Sequence, residues 1–214
     1  MRFCKFLVFY QIKKLILEAI MPYLKEEQIA KLGLKSYGKN LLISDKVTFY
    51  RPNRISLGNN IKIDDFVVLG NHITIGDYVH ISLGCSLLAS DDGEIIMEDF
   101  SGFAPRVHAF SGSDDYSGEF MTGACIPKEY RGTYSKPLYI GQNSIVGSMS
   151  CIMPGAHIRE GVAVGSSSLV MRPTRPFGIY FGNPAKRIAE RNKNLLKLKN
   201  EFLSKFKNNN GTFS

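Results

Sequence analysis

From Leu57 the chain reads, in consecutive sixes, LGNNIK (57–62), IDDFVV (63–68), LGNHIT (69–74), IGDYVH (75–80), ISLGCS (81–86) and LLASDD (87–92). The first position of each piece is aliphatic: Leu57, Ile63, Leu69, Ile75, Ile81 and Leu87. The fifth is Ile61, Val67, Ile73, Val79 and Cys85, and the pattern stops at Asp91. A period of six fits neither an amphipathic helix nor a plain alternating strand. It fits an all-β solenoid in which each six supplies one short strand and a corner. Three sixes close a triangular coil, and coils stack at about 4.8 Å, the spacing of paired strands. First-position side chains should point inward, fifth positions should be slim, and Gly and Asn should serve corners by tolerating positive φ.

A second block repeats the period from Ile140: IGQNSI, VGSMSC, IMPGAH, IREGVA, VGSSSL and VMRPTR. Earlier repeats from Gly38 are less regular, as ISDKVT, FYRPNR and ISLGNN. At Asp91–Glu94 the register slips by four residues and resumes as MEDFSG and FAPRVH. Residues 109–136 then fit no hexad. A stretch that long inside a compact domain is disordered or functional, and functional is the reading taken. It carries three of the ten tyrosines and the run SGSDDYSGEF at 111–120. The expected organisation is a helical cap over 1–37, a β-helix over 38–176 with a protruding loop at 109–137, and a C-terminal turn, basic helix and tail over 177–214.

Within the cap, the apolar spacing from Phe3 to Ile20 predicts one helix and Lys25–Leu32 a second, ending at Gly33. Pro173 and Pro176 mark the exit from the repeats, and Gly182-Asn183-Pro184 a turn. Lys186 to Lys207 is expected to be a helix with Ile188, Leu195, Leu198, Phe202 and Phe206 on one side. It would cap the top or pack on a neighbouring subunit. That segment holds eight Lys or Arg against Glu190 and Glu201, much of the net charge of +8. No nucleic-acid-reading motif accompanies the charge, so nucleic acid is not the expected partner. No run of about 20 apolar residues is present for membrane insertion. Lys13 and Lys14 interrupt the N-terminal apolar run too early for a signal peptide, which gives a cytoplasmic expectation. Cys4, Cys85, Cys125 and Cys151 lack metal or redox spacing and read as reduced thiols, Cys85 as a small core residue.

These repeats, the mid-chain loop and FGNPAKRI at 181–188 resemble the hexapeptide-repeat acyltransferases over roughly 38–191. VHIS at 79–82, SDDYSGEF at 113–120 and IPKEY at 126–130 narrow the resemblance to the branch that acylates sugars. Members of that branch act on nucleotide-linked amino-dideoxy sugars or O-acetylate surface-polysaccharide sugars. The resemblance implies a left-handed parallel β-helix; the usual crossover rule would have predicted the right hand. It also implies homotrimers with acetyl-CoA or another short acyl-CoA in the groove between prisms. No metal motif is visible in the sequence, and no metal is expected.

Acyl transfer from a thioester needs a base near the acceptor, N–H donors for the oxyanion, and a slot for the pantetheine arm. No GxSxG elbow is present, and a ternary complex needs no covalent enzyme intermediate. The candidate bases are Asp114, which the resemblance favours, His80 in the VHI element, and His108 at the mouth of the loop. In galactoside-type enzymes the loop histidine stands further along, near Asp114 here. His72 and His157 read as surface residues. Asp115 and Tyr116 are candidates to hold the acceptor, with turn formation as the alternative for the Asp pair. For CoA the resemblance points to Gly147, Ser148, Ser166 and Ser167, with Arg172 and Lys186 meeting phosphates. Many relatives carry an aromatic where this chain has Ile145. The primary expectation is N-acylation of a nucleotide-linked amino sugar in surface-polysaccharide biosynthesis. Sugar O-acetylation is the alternative, and a non-catalytic scaffold the alternative of another class. A serine- or homoserine-type acetyltransferase would need a larger helical N-terminal domain.

Overall fold

The computed structural model describes residues 23–206. The helix expected before Pro22, the tail after Phe206, and Cys4 lie outside the described residues. The rest is a parallel β-solenoid of about seven coils with three faces. Face one stacks Ser36–Tyr37, Ile55–Leu57, Ile73–Ile75, Ile95–Met97, Leu138–Ile140 and His157–Ile158. Face two stacks Leu41–Ile43, Ile61–Ile63, His80–Ile81, Gly102–Phe103, Ile145–Val146, Ala163–Val164 and Gly178–Phe181. Face three stacks Thr48–Tyr50, Val68–Gly70, Ser86–Leu88, His108–Phe110, Cys151–Ile152 and Leu169–Val170.

The register is the sequence period made physical. Ile55 pairs with Ile73 and Leu69 with Leu87, one coil of three sixes apart. Ile73 pairs with Ile95 because the four-residue slip at Asp91–Glu94 lengthens that coil. Every first-position residue of both blocks, and every fifth-position residue of the first up to Cys85, is buried. Burial of each such Ile, Leu or Val contributes about 1.5–3 kcal/mol against the unfolded chain. Met97 and Phe103 hold the same slots after the slip and are equally buried.

Gly and Asn serve corners as expected, but larger residues do so too. Positive φ falls on the fourth position of most sixes: Asn60, Asn143, Gly84, Gly155 and Gly161 hold it, but so do Phe66, Tyr78, Phe100, Arg106, Met149 and Ser167. A left-handed residue costs on the order of 1 kcal/mol. Inter-coil hydrogen bonds offset that cost. The N–H of Tyr78 donates to Asn59 O, Phe100 to Asp77 O, Arg106 to Leu83 O and Ser167 to Ser148 O, at 2.8–2.9 Å. The second-position glycines serve close approach instead. A Cβ on Gly141 would stand 2.7 Å from Glu160 N, and one on Gly147 2.5 Å from Ser166 N.

Helix α1 (Glu26–Ala30) closes the bottom, with Ile29 buried in the core and Gly33 at φ 72° just beyond it. The top differs from expectation. Lys186–Glu190 is a strand, antiparallel to Gly178–Phe181, and Ile188 is exposed. Only Asn194–Phe206 is helical (α2). This helix runs back along its own prism at the corner between faces one and two. Phe202 meets Tyr78 and Phe100 edge-on at 5.3 and 6.2 Å, and those two rings stack at 4.7 Å. Lys199 sits 5.4 Å over Phe100, and Arg191 donates to Asn143 O at 2.7 Å and Gly161 O at 3.1 Å. Part of the basic segment is therefore spent on holding the helix down. Among the described residues no helix is long and apolar enough to cross a membrane.

Candidate active site

The loop leaves face three after Phe110, so Ala109 and Phe110 belong to the prism. Its two limbs form a hairpin, Gly112–Asp114 antiparallel to Thr133–Ser135, with Asp114 opposite Thr133. Serines seal its root to the coil beneath. Ser90 N–H donates to Ser111 Oγ at 2.9 Å, and Ser90 Oγ lies 2.5 Å from Ser135 Oγ. Ser111 is fully buried, so the limbs leave the prism at a fixed place.

Asp114 Oδ2 accepts the Gly123 N–H at 3.0 Å, and Oδ1 has no partner among the described residues. The side chain lines a cleft of about 470 Å³ between the hairpin and the prism, with Phe110, Asp91, Asp92, Lys128, Arg131 and Tyr134 also on its walls. Asp115 behaves differently. Its carboxylate accepts Ser117 Oγ at 2.8 Å and the N–H groups of Ser117, Gly118 and Phe120 at 3.0–3.3 Å. The Ser117 N–H, followed by the Ser117 hydroxyl, holds its carboxyl below the ordinary value. Both Asp115 oxygens are thus engaged in folding the loop. Tyr116 is 86% exposed and does not line the cleft.

His80 lies on face two. Its Nε2 is 2.8 Å from Asp64 Oδ2, and Lys62 Nζ is 3.3 Å from Asp64 Oδ1. His108 lies on face three with its ring parallel to that of Phe110 at 6.3 Å. Within one chain the structure therefore groups His108 with the loop and leaves His80 on another face. The expected CoA residues do come together. Gly147–Ser148 and Ser166–Ser167 occupy successive coils at the corner between faces two and three, joined by Ser167 N–H donating to Ser148 O at 2.8 Å. Arg172 is exposed beside a hollow of about 370 Å³ that Pro184 and Ala185 also line. Ala185 N–H donates to Leu169 O, which brings the adjacent Lys186 to the same end. Ile145 is exposed on face two.

Cys85 is buried, its Sγ donating to Ala104 O at 3.2 Å, and burial pushes its thiol up to about 11. It packs rather than reacts. His157 is half-buried against Tyr139, and burial pulls its imidazole below the ordinary value. Among the described residues no cluster of His, Cys, Asp or Glu comes together to hold a metal ion. Sequence reasoning missed Asp64, Lys128 and Arg131. Asp64 was within reach: eighteen residues back from His80 is Lys62, its strand partner, and Asp64 stands two further on.

The chain is 38% identical over 185 residues to dTDP-4-amino-4,6-dideoxy-D-glucose acyltransferase from Escherichia coli, covering 85% of this chain and 95% of that protein. It belongs to the hexapeptide-repeat nucleotide-sugar acyltransferases. It superimposes on AntD, an N-acyltransferase from Bacillus cereus solved with dTDP and 3-hydroxybutyryl-CoA, with a TM-score of 0.85 and 36% identity over 87% of this chain and 98% of that one. A variant of AntD bound to dTDP-4-amino-4,6-dideoxyglucose and coenzyme A matches with a TM-score of 0.84, 37% identity and coverage of 86% and 98%. Chloramphenicol acetyltransferase from Klebsiella aerogenes matches over only 52 residues, at 44% identity, covering 24% of this chain and 25% of that protein. No protein-family model matches the chain. The chain is thus an acyltransferase, and the scaffold reading falls.

Proposed function

We propose that this acyltransferase moves an acyl group from acyl-CoA to the amine of a dTDP-linked 4-amino-4,6-dideoxy sugar, feeding surface-polysaccharide synthesis in the cytoplasm. The observation that carries this reading is the match to the E. coli enzyme over 95% of its length. The loop cleft supports it with a carboxylate, Asp114, that has one oxygen fixed and the other free of partners among the described residues.

The acceptor arrives as an ammonium ion. Asp114 takes one proton, and the nitrogen lone pair attacks the thioester carbonyl carbon. The oxyanion that forms calls for N–H donors. The nitrogen then releases its second proton to solvent, the C–S bond breaks, and Asp114 returns its proton to the departing sulfur. An amide and free CoA thiol result. Gly147, Ser148, Ser166 and Ser167 leave a low wall for the pantetheine arm, and Arg172 and Lys186 stand at the end where phosphates would fall.

A homotrimer accounts for the division of candidate residues between faces. A three-fold ring can set face two of one copy, carrying His80, beside the loop of the next. The corner between faces two and three exposes Phe66 and Met149, each more than 60% accessible, together with Leu83, an apolar edge suited to such contact. In that arrangement His80, oriented by Asp64, assists proton transfer.

The test is thiol release from acetyl-CoA and 3-hydroxybutyryl-CoA, with product mass, against dTDP-4-amino-4,6-dideoxyglucose and a panel of neutral sugars. An N-acylated nucleotide sugar is expected. Turnover of hydroxyl acceptors alone would overturn the assignment. Light scattering should give about three times the 23.9 kDa chain mass.

A further inference from the structure

The loop cleft holds a cation that the fold does not use. Arg131 stands on the returning limb of the loop, two residues before Thr133, the strand partner of Asp114. Among the described residues it has no ion-pair partner, and its Nε is buried without a hydrogen-bond partner. Leaving a buried donor of a charged group without an acceptor is costly. Other cations near this edge are spent: Arg51 and Arg54 pair with Asp91, and Arg54 also meets Asn71 and His72. Lys128 lines the same cleft and has no carboxylate partner among the described residues.

The cleft is bipolar. Asp91 and Asp92 enter from the prism wall, Asp114 from the outgoing limb, and Lys128 and Arg131 from the returning limb. A cleft with carboxylates on one side and unpaired cations on the other suits a ligand with both charges. An amino sugar linked to a nucleoside diphosphate is such a ligand. Its ammonium sits at C4 and its diphosphate at C1, on opposite sides of the hexose ring. With the amine at Asp114, the diphosphate must lie across the ring from it.

We propose that Arg131, assisted by Lys128, binds the diphosphate of the acceptor in this cleft. The guanidinium fork suits two phosphate oxygens at once, whereas an ammonium acts as a point charge. This rests on the acceptor assigned above, and it adds which residues grip the acceptor and from which side of the loop.

The experiment compares the wild type with Arg131→Ala, Arg131→Lys and Lys128→Ala. Acceptor and acyl-CoA are varied separately, and dTDP serves as a competitive inhibitor. For Arg131→Ala, the acceptor KM and the dTDP inhibition constant should both rise by about 10- to 100-fold, as expected for losing charge-assisted hydrogen bonds. The KM for acyl-CoA should stay within about twofold. Arg131→Lys should recover part of the loss, and Lys128→Ala should show a smaller shift of the same kind. An unchanged dTDP constant in folded Arg131→Ala, judged by its melting transition, would overturn the proposal while wild-type turnover keeps the substrate assignment. A shift confined to acyl-CoA would place the cation in the donor site and overturn it too. A wild type that neither binds dTDP nor turns over dTDP-linked amines would remove the substrate assignment itself.

Discussion

The prism and the loop are built on opposite principles. In the prism each coil repeats the one below, with aliphatic positions inward and a hydrogen bond from most left-handed corners to the previous coil. Its stability is a sum of similar interfaces between neighbours. Ile158, Val146 and Ile152 do one job on the three different faces. The loop has no such redundancy. It buries little apolar surface and is shaped by single polar contacts: the serines at its root, Asp114 on Gly123, and Asp115 on Ser117, Gly118 and Phe120. The proposed base Asp114 stands on the part with one copy of everything, and the prism fixes where that part begins.

That contrast breaks most visibly at Asp114. Asp114→Asn keeps an oxygen for the Gly123 N–H, so the loop should hold its shape while the base is lost. A fall in kcat of about 10²- to 10⁴-fold is expected, with acyl-CoA affinity unchanged. Steady-state rates together with CoA titration measure it. A near wild-type rate would move the proton to His80 or His108, or show that the amine needs no enzyme base.

The converse change lies in the prism. Ile152→Ala removes a fully buried side chain whose neighbours are held by the coils above and below. It should cost about 2–5 kcal/mol in denaturant unfolding, as other large-to-small core changes do. Activity per folded molecule should change far less than in Asp114→Asn. If Ile152→Ala instead lost activity while keeping its stability, the separation of frame from chemistry would be wrong.

How much could be read from sequence follows the same division. Aliphatic residues at a six-residue period are written many times over, so faces, coils and even the four-residue slip were legible. The strand at Lys186–Glu190 was not. Ile188 and Leu195, seven apart, fit a helix, but pairing with Gly178–Phe181 extends face two and outweighs that local pattern. Nor was the reason for Gly147 and Gly141, because clearance between coils leaves no trace in one chain's local pattern. In the candidate site, resemblance was what singled out Asp114, which lines the loop cleft, and the CoA candidates Gly147, Ser148, Ser166 and Ser167, which share one corner. Arg131 was not singled out, since its significance is an absent partner, which exists only once the chain is folded. For the Asp115–Tyr116 pair the sequence left sugar contact and turn formation open; Asp115 engages both oxygens in the turn, and Tyr116 is exposed and does not line the cleft.

The smallest expected effect is a pH response confined to the loop. The hydrogen bonds from Ser117, Gly118 and Phe120 hold the folded Asp115 carboxyl below its ordinary value of 3.8. A group depressed on folding contributes stability that is fully present above its unfolded value and disappears as pH falls through the folded one. At neutral pH the contribution is therefore complete, and it should fade only below about pH 4. The prism interior is apolar and, among the described residues, holds no buried carboxylate, so the loop should loosen first. Hydrogen exchange at the amides of residues 117–120, corrected for intrinsic rates, should lose protection between pH 6 and pH 3 while Ile140 and Ile152 keep theirs. Asp115→Asn should show part of that loss already at pH 6, because an amide accepts these bonds more weakly than a carboxylate. Uniform loss across loop and prism would mean that the two regions unfold as one unit, and the distinction between repeated frame and singly held loop would then fail as an account of stability.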